Sequence, residues 1–217
     1  MKEIVHGFGV MEFNDVIEVD QDFLSGWIER RKAQQPDDYI LQDDGTYLNR
    51  GGYRFTAEEV EMSPGRLLRL DHEVNDEDLK FFHTMYEGMG ECVRRYISHF
   101  PEVGPCIWWR TQPHVATYGV TAGMGFHHDN LIGDGEASET SLMTVLTGSL
   151  ILRDTCEGGN LQFKYPNLDF KPKTGSAFIY SAGYLGTHAV TDITSGHRVS
   201  YLEFFGQGNQ PGADPFQ

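Results

Sequence analysis

The chain is short of cysteine, of basic charge and of long apolar runs, and each shortage excludes something. Its 217 residues hold three cysteines, Cys92, Cys106 and Cys156, too few and too scattered for a disulfide framework. No CxxC pair occurs, so the paired thiolates of a zinc knuckle are missing. Seventeen Lys and Arg against 32 Asp and Glu leave a formal net charge of −15. A surface of that sign repels phosphate backbones and anionic lipid, so nucleic acid and membrane are not expected partners. No apolar stretch reaches transmembrane length. The opening MKEIVHGFGVMEFNDV lacks an apolar run long enough for a signal peptide. These shortages predict a cytoplasmic protein in a reducing compartment.

What is present is enough to build a core: 39% of residues are apolar and 12% aromatic, a normal globular balance. The length suits one domain, 1–217. Within it we expect helical support and substrate loops over 1–104, a strand-rich core over 105–206, and a tail over 207–217. Residues 20–34 read as a helix capped by Asp20, with Phe23, Leu24, Trp27 and Ile28 on one face. Residues 76–100 read as a longer one capped by Asn75 or Asp76, with Leu79, Phe82, Met85, Met89, Val93, Tyr96 and Phe100 at helical spacing. From residue 105 the pattern changes to short strands punctuated by Gly, Pro, Asp and Asn, among them CIWWR, HVATYGVT, GFHHD, SLMTVLT, SLILRD, NLQFKY, SAFIYS, THAVT and RVSYLEFF. Helices followed by many short strands predict an α+β protein with a jelly-roll core. Trp108 and Trp109 alternate, so only one of them can face that core.

The stretch GMGFHHDN, residues 123–130, carries the chemistry. In a strand, side chains at i and i+2 share a face, so His127 and Asp129 point one way and His128 the other. His127 and Asp129 are the expected ligand pair. The alternative, His128 with Asn130, offers only a neutral amide oxygen beside its imidazole. An H-x-D tripeptide alone carries no weight, and a third ligand must come from elsewhere. His188 lies sixty-one residues later, at the start of a strand pattern. Arg198 follows ten residues after it, with Ser200 two further along on the same strand face. Two imidazoles and one carboxylate, with coordination positions left open, suit non-haem Fe(II). The remaining histidines, His6, His72, His83, His99, His114 and His197, have no partner pattern and read as surface or structural.

In this light the chain resembles the Fe(II)/2-oxoglutarate-dependent oxygenases, and within them the prolyl-4-hydroxylase-like branch. YGVTAGMGFHHDN carries the tyrosine and glycine that precede the family's H-x-D. HHDNLIGDG is similar to the hypoxia-factor prolyl hydroxylases. GGNLQF, PKTGSAFIY and HAVTDITSGHRVS follow in the family's order, over roughly residues 115–206. Met124 departs from the pattern by standing where prolyl hydroxylases often have tyrosine.

The resemblance implies a double-stranded β-helix (jelly-roll) core with N-terminal helices packed against its major sheet. It implies that His127, Asp129 and His188 bind Fe(II), and that Arg198 seats the far carboxylate of 2-oxoglutarate, a fork for which guanidinium is suited. Ser200 and Tyr118 would hydrogen-bond the same co-substrate. The implied activity is a dioxygenase that consumes O2, releases succinate and CO2, and hydroxylates an unactivated C–H bond, with ascorbate as supporting reductant. The expected substrate is a prolyl residue of a protein or peptide. The alternatives are the same chemistry on a free amino acid or small metabolite, or a non-catalytic jelly roll that binds metal or ligand. Gly158 and Gly159 read as turn residues. The loops 131–140 and 41–65 read as candidate lids.

Overall fold

The computed structural model of the chain describes residues 1–34, 39–49, 54–55, 66–69, 75–111, 113–130 and 143–207. The proposed lid 131–140 and much of 41–65 lie outside the described residues. In chain order the elements are β1 (Lys2–Val5), β2 (Met11–Asn14), α1 (Gln21–Gln34), β3 (Tyr39–Leu41), β4 (Tyr47–Asn49), β5 (Arg54–Phe55), β6 (Arg66–Arg69) and α2 (Asp76–His99). After them come β7 (Trp109–Arg110), β8 (His114–Tyr118), β9 (Met124–His127), β10 (Met143–Gly158), β11 (Leu161–Phe163), β12 (Leu168–Phe170), β13 (Ala177–Ser181), β14 (His188–Val190) and β15 (Ile193–Gln207).

Both expected helices form where the caps place them. Asp20 Oδ1 accepts from the backbone N–H groups of Asp22 and Phe23, and Asn75 Oδ1 from that of Asp78, each filling donors the first turn leaves open. On α1, Leu24, Trp27 and Ile28 are buried; on α2, Met85, Met89, Val93 and Tyr96 are. The α2 face starts one turn later than the periodicity suggests, because Leu79 is 40% exposed while Asp78 is buried against Arg30 on α1.

The strands form a larger sheet in the order β1-β2-β13-β10-β15-β8-β6, with β7 pairing β15, and a smaller one in the order β12-β11-β14-β9. A third, separate sheet joins β3, β4 and β5. All pairings described are antiparallel. The architecture is the expected α+β one, a double-stranded β-helix with α1 and α2 on the outer face of the major sheet. Their apolar faces join Leu146, Leu150, Leu152, Ile179, Val199, Tyr201 and Phe205 in one core cluster. Each such side chain taken fully from water stabilises the fold by roughly 1.5–3 kcal/mol. A second cluster, Val10, Leu161, Phe163, Phe178, Tyr180 and Val190, lies between the two sheets.

Two sequence readings change. The N-terminal hundred residues are not only helical support, since β1, β2 and β6 extend the major sheet at its two ends. Met11 and Phe13 are buried alternately along β2, a period-2 signal too short to stand out. From Met143 onward the stretches SLMTVLT and SLILRD are one strand, β10, because Gly148 between them is not a turn. A Cβ there would stand 2.5 Å from Met89 Sδ, so the glycine lets α2 approach the sheet closely.

Candidate active site

Three strands place the polar residues inside the barrel. On the small sheet, Phe163 of β11, His188 of β14 and His127 of β9 are successive register partners. His127 and His188 therefore stand side by side, with ring centroids 4.3 Å apart. β9 ends at His127, and the chain then turns so that the Asp129 N–H donates to the Ala182 carbonyl, just beyond β13, at 3.0 Å. That bond brings the carboxylate back to the imidazoles. Asp129 Oδ1 lies 3.5 Å from His127 Nε2 and Oδ2 lies 3.8 Å from His188 Nε2. One ligand atom from each of the three residues falls within 4.8 Å of the others. His128 points away and is exposed, so the structure groups the expected pair rather than His128 with Asn130.

The tautomers follow from the partners. His127 Nδ1 lies 2.8 Å from the Gly125 carbonyl and His188 Nδ1 lies 3.0 Å from that of Gly186. A carbonyl only accepts, so each Nδ1 carries its proton and each Nε2 turns a lone pair toward Asp129. Backbone carbonyls behind the imidazoles are the arrangement that orients metal-ligating histidines. Burial pushes the His188 imidazole down to about 4, with the neighbouring His127 and Arg198 adding to the effect and Asp129 opposing it. It is neutral at physiological pH, the form that can bind a metal.

Deeper in the barrel, Arg198 of β15 is 3% exposed. Its Nη1 donates to the Gly159 carbonyl at 2.8 Å and its Nε to Ser200 Oγ at 3.1 Å. Its register partner across β8 is Tyr118, whose ring centroid lies 5.8 Å from the guanidinium carbon. No carboxylate among the described residues forms an ion pair with it. Burial alone lowers its pKa, and a buried cation without a counter-charge is expensive. The donor set therefore fits its expected guests: three ligands for a divalent metal, and a guanidinium prepared for an anion. Gly158 and Gly159 adopt positive φ, 77° and 66°, as a turn requires. The Gly159 carbonyl has the further task of holding Arg198.

Sequence reasoning missed two hydroxyls. Thr147 of β10 and Tyr180 of β13 are register partners facing the barrel interior, each 1% exposed. Thr147 Oγ1 donates to Asp129 Oδ2 at 2.8 Å, and the Tyr180 hydroxyl lies 3.2 Å from His188 Nε2. Strand alternation within SAFIYS puts Tyr180 on the inner face with Phe178. Nothing in the order of residues says that this face meets His188.

The barrel thus holds side by side a His/Asp/His cluster able to take a divalent metal and a buried guanidinium with no carboxylate partner among the described residues. Residues 113–206 match the family model described as the 2OG-Fe(II) oxygenase superfamily. Over those residues the resemblance to the Fe(II)/2-oxoglutarate-dependent oxygenases holds. No curated protein matches the chain by sequence.

Solved structures share the fold at low identity. A viral collagen prolyl hydroxylase from Paramecium Bursaria Chlorella virus-1 is 13% identical, with a TM-score of 0.55, over 94% of this chain and 98% of that one. A Pseudomonas putida prolyl-4-hydroxylase is 15% identical, with a TM-score of 0.58, over 94% and 95%. A Trichoplax adhaerens prolyl hydroxylase, solved with a hypoxia inducible factor oxygen degradation domain peptide, is 14% identical, with a TM-score of 0.59, over 92% and 84%. No helix among the described residues is long and apolar enough to cross a membrane.

Proposed function

We propose that the chain is an Fe(II)- and 2-oxoglutarate-dependent dioxygenase that hydroxylates an unactivated C–H bond in a prolyl residue of a protein or peptide, releasing succinate and CO2. One observation carries the reading: the His127, Asp129 and His188 cluster and the Arg198 guanidinium, which has no carboxylate partner among the described residues, lie in the same barrel. When bound, the iron and 2-oxoglutarate together supply the O2-dependent oxidation that puts a hydroxyl on carbon.

The chain's own residues do the rest. His127, Asp129 and His188 hold the metal through two neutral imidazoles and one carboxylate, leaving net positive charge that attracts an anion. Arg198 receives the far carboxylate of 2-oxoglutarate, and Ser200 fixes the guanidinium by accepting from its Nε. Tyr118 packs beside it. Phe163 and the apolar side chains around it keep bulk water from the inner side of His188.

A peptide substrate is supported by the family resemblance and by an exposed aromatic patch on the small sheet. Phe126, on the face of β9 opposite His127, is 52% exposed, Tyr184 is 67% exposed, and Tyr165 is 49% exposed. Lys164 reaches over both Phe126 and Tyr165, and Tyr184 packs edge-on against Tyr165. Aromatic surfaces of this kind suit the rigid, extended backbone of proline-bearing segments.

The test is succinate release with Fe(II), ascorbate and 2-oxoglutarate across two panels, proline-containing peptides and free amino acids. Peptide-dependent succinate with a mass gain of one oxygen on proline is the expected result. Stimulation by free amino acids alone moves the assignment to the small-molecule reading. The absence of metal-dependent 2-oxoglutarate binding leaves a non-catalytic jelly roll.

A further inference from the structure

Tyr180 is a polar group at the cluster that the reaction as outlined leaves without a task. Its ring is buried in β13, and its hydroxyl lies 3.2 Å from His188 Nε2. Because His188 Nδ1 bears the imidazole proton, Nε2 is the accepting end and Tyr180 is the donor. The lone pair that Tyr180 occupies is the one a metal ion needs, so the hydrogen bond and a metal–nitrogen bond exclude each other.

A metal bound at His188 therefore strands the Tyr180 hydroxyl. The phenol is too deeply buried to turn to bulk water, and a buried donor without an acceptor is unfavourable. Its register partner Thr147 already fills Asp129 Oδ2. Asp129 and Arg198 both lie within electrostatic reach of the phenol. An acceptor oxygen bound to a metal at His188 would come within reach of this hydroxyl.

We infer that Tyr180 couples metal binding to co-substrate binding: it caps the His188 lone pair in the metal-free chain, and donates the same hydrogen to an oxygen of 2-oxoglutarate once the metal is in place. This rests on the reading that the site takes a divalent metal and 2-oxoglutarate. Tyr180 is then a positioning residue before metal binding and a co-substrate contact after it. Metal alone binds against the loss of a hydrogen bond, and 2-oxoglutarate restores one, so the two ligands favour each other beyond what chelation provides.

Tyr180→Phe tests this, since it keeps the ring and removes only the hydroxyl. The readouts are anaerobic titrations with Mn(II) alone, followed by 2-oxoglutarate added to Mn(II)-loaded protein. The variant should bind Mn(II) alone about threefold to tenfold more tightly than wild type, and 2-oxoglutarate roughly tenfold more weakly. If either effect is missing, the coupling is overturned. If wild-type protein binds Mn(II) but not 2-oxoglutarate, the functional reading falls, and the coupling with it. Should the variant fail to fold, wild-type tyrosine ultraviolet difference spectra decide. They should change on adding Zn(II) and change again on adding 2-oxoglutarate; no change on adding Zn(II) overturns the inference.

Discussion

His127 and His188 are register partners on adjacent antiparallel strands, with ring centroids 4.3 Å apart. The β-ladder sets their spacing, and backbone carbonyls of Gly125 and Gly186 set their tautomers. The spacing and orientation of the two imidazoles are therefore set by the fold itself.

Removing the metal should leave the barrel intact. Chelator-treated and Mn(II)-loaded protein should give superimposable far-ultraviolet circular dichroism, while loading raises the melting temperature. A metal at a hundred times its Kd adds about 2.7 kcal/mol by mass action. Loss of sheet signal on chelation would show that the metal folds the site instead.

Thr147 tests how far the support of Asp129 matters. Its hydroxyl donates to Asp129 Oδ2 at 2.8 Å, and partners of this kind typically contribute 10–100-fold in metal affinity or activity. Thr147→Val keeps the branched shape and removes the donor. Mn(II) affinity should fall by about that range, with the melting temperature of the metal-free protein nearly unchanged.

How much of this was legible in the sequence follows from which contacts are local. Asp20 and Asn75 act within one helical turn, so caps and helices could be read directly. The i, i+2 relation of His127 and Asp129 is also local, although Asp129 reaches the cluster through a turn beyond β9 and a bond to Ala182. His188 and Arg198 were found through spacing and family resemblance, because no local rule says that β14 lies beside β9. Thr147 and Tyr180 escaped altogether. Their roles depend on long-range register between β10 and β13, and on the small sheet closing over them. Gly148 misled for a related reason: a glycine that admits a helix and one that makes a turn look alike until the packing partner is known.

Arg198 is expected to trade stability for binding. The guanidinium is buried with no carboxylate ion pair among the described residues, so replacing it with an apolar side chain of similar length removes an unfavourable buried charge. Arg198→Met should melt higher than wild type in the absence of ligand. The same variant should lose 2-oxoglutarate affinity by at least roughly tenfold, the scale of a charge-assisted hydrogen bond. A variant that melts lower would mean that the bonds to Gly159 and Ser200 outweigh the charge.

Acid should destabilise the metal-free protein through His188. Its folded pKa is pushed down to about 4, chiefly by burial, against about 6.5 in an unfolded chain. Above that higher value both states are neutral and the residue adds no pH dependence. As pH falls from 6.5 to 4 the unfolded chain takes up a proton that the folded chain refuses, and folded stability drops by roughly 3 kcal/mol. Below 4 the slope from this group ends. Urea titrations of chelated wild type and His188→Gln should diverge across that window, with wild type the steeper. Parallel curves would remove His188 as the cause.

A second buried charge stands on the opposite face of β15 and should behave differently. Glu203 is fully buried and accepts from Arg110 Nε, from Arg110 Nη2 at 2.7 Å and from the Tyr201 hydroxyl at 2.9 Å. The guanidinium carbon of Arg110 lies 3.4 Å from the Tyr86 ring centroid on α2, so the pair ties helix to sheet. Unlike Arg198, each of these charges has its partner, and removing one leaves the other buried alone. Arg110→Met should destabilise by about 3–5 kcal/mol, and the double variant with Glu203→Met should recover most of that loss. Strand alternation places Glu203 away from Ser200 and Arg198, so Mn(II) and 2-oxoglutarate affinities should stay at wild-type levels in whatever fraction of either variant is folded. A shift in those affinities would mean that the helix-facing side of β15 transmits to the barrel interior, and that the two buried arginines are not independent.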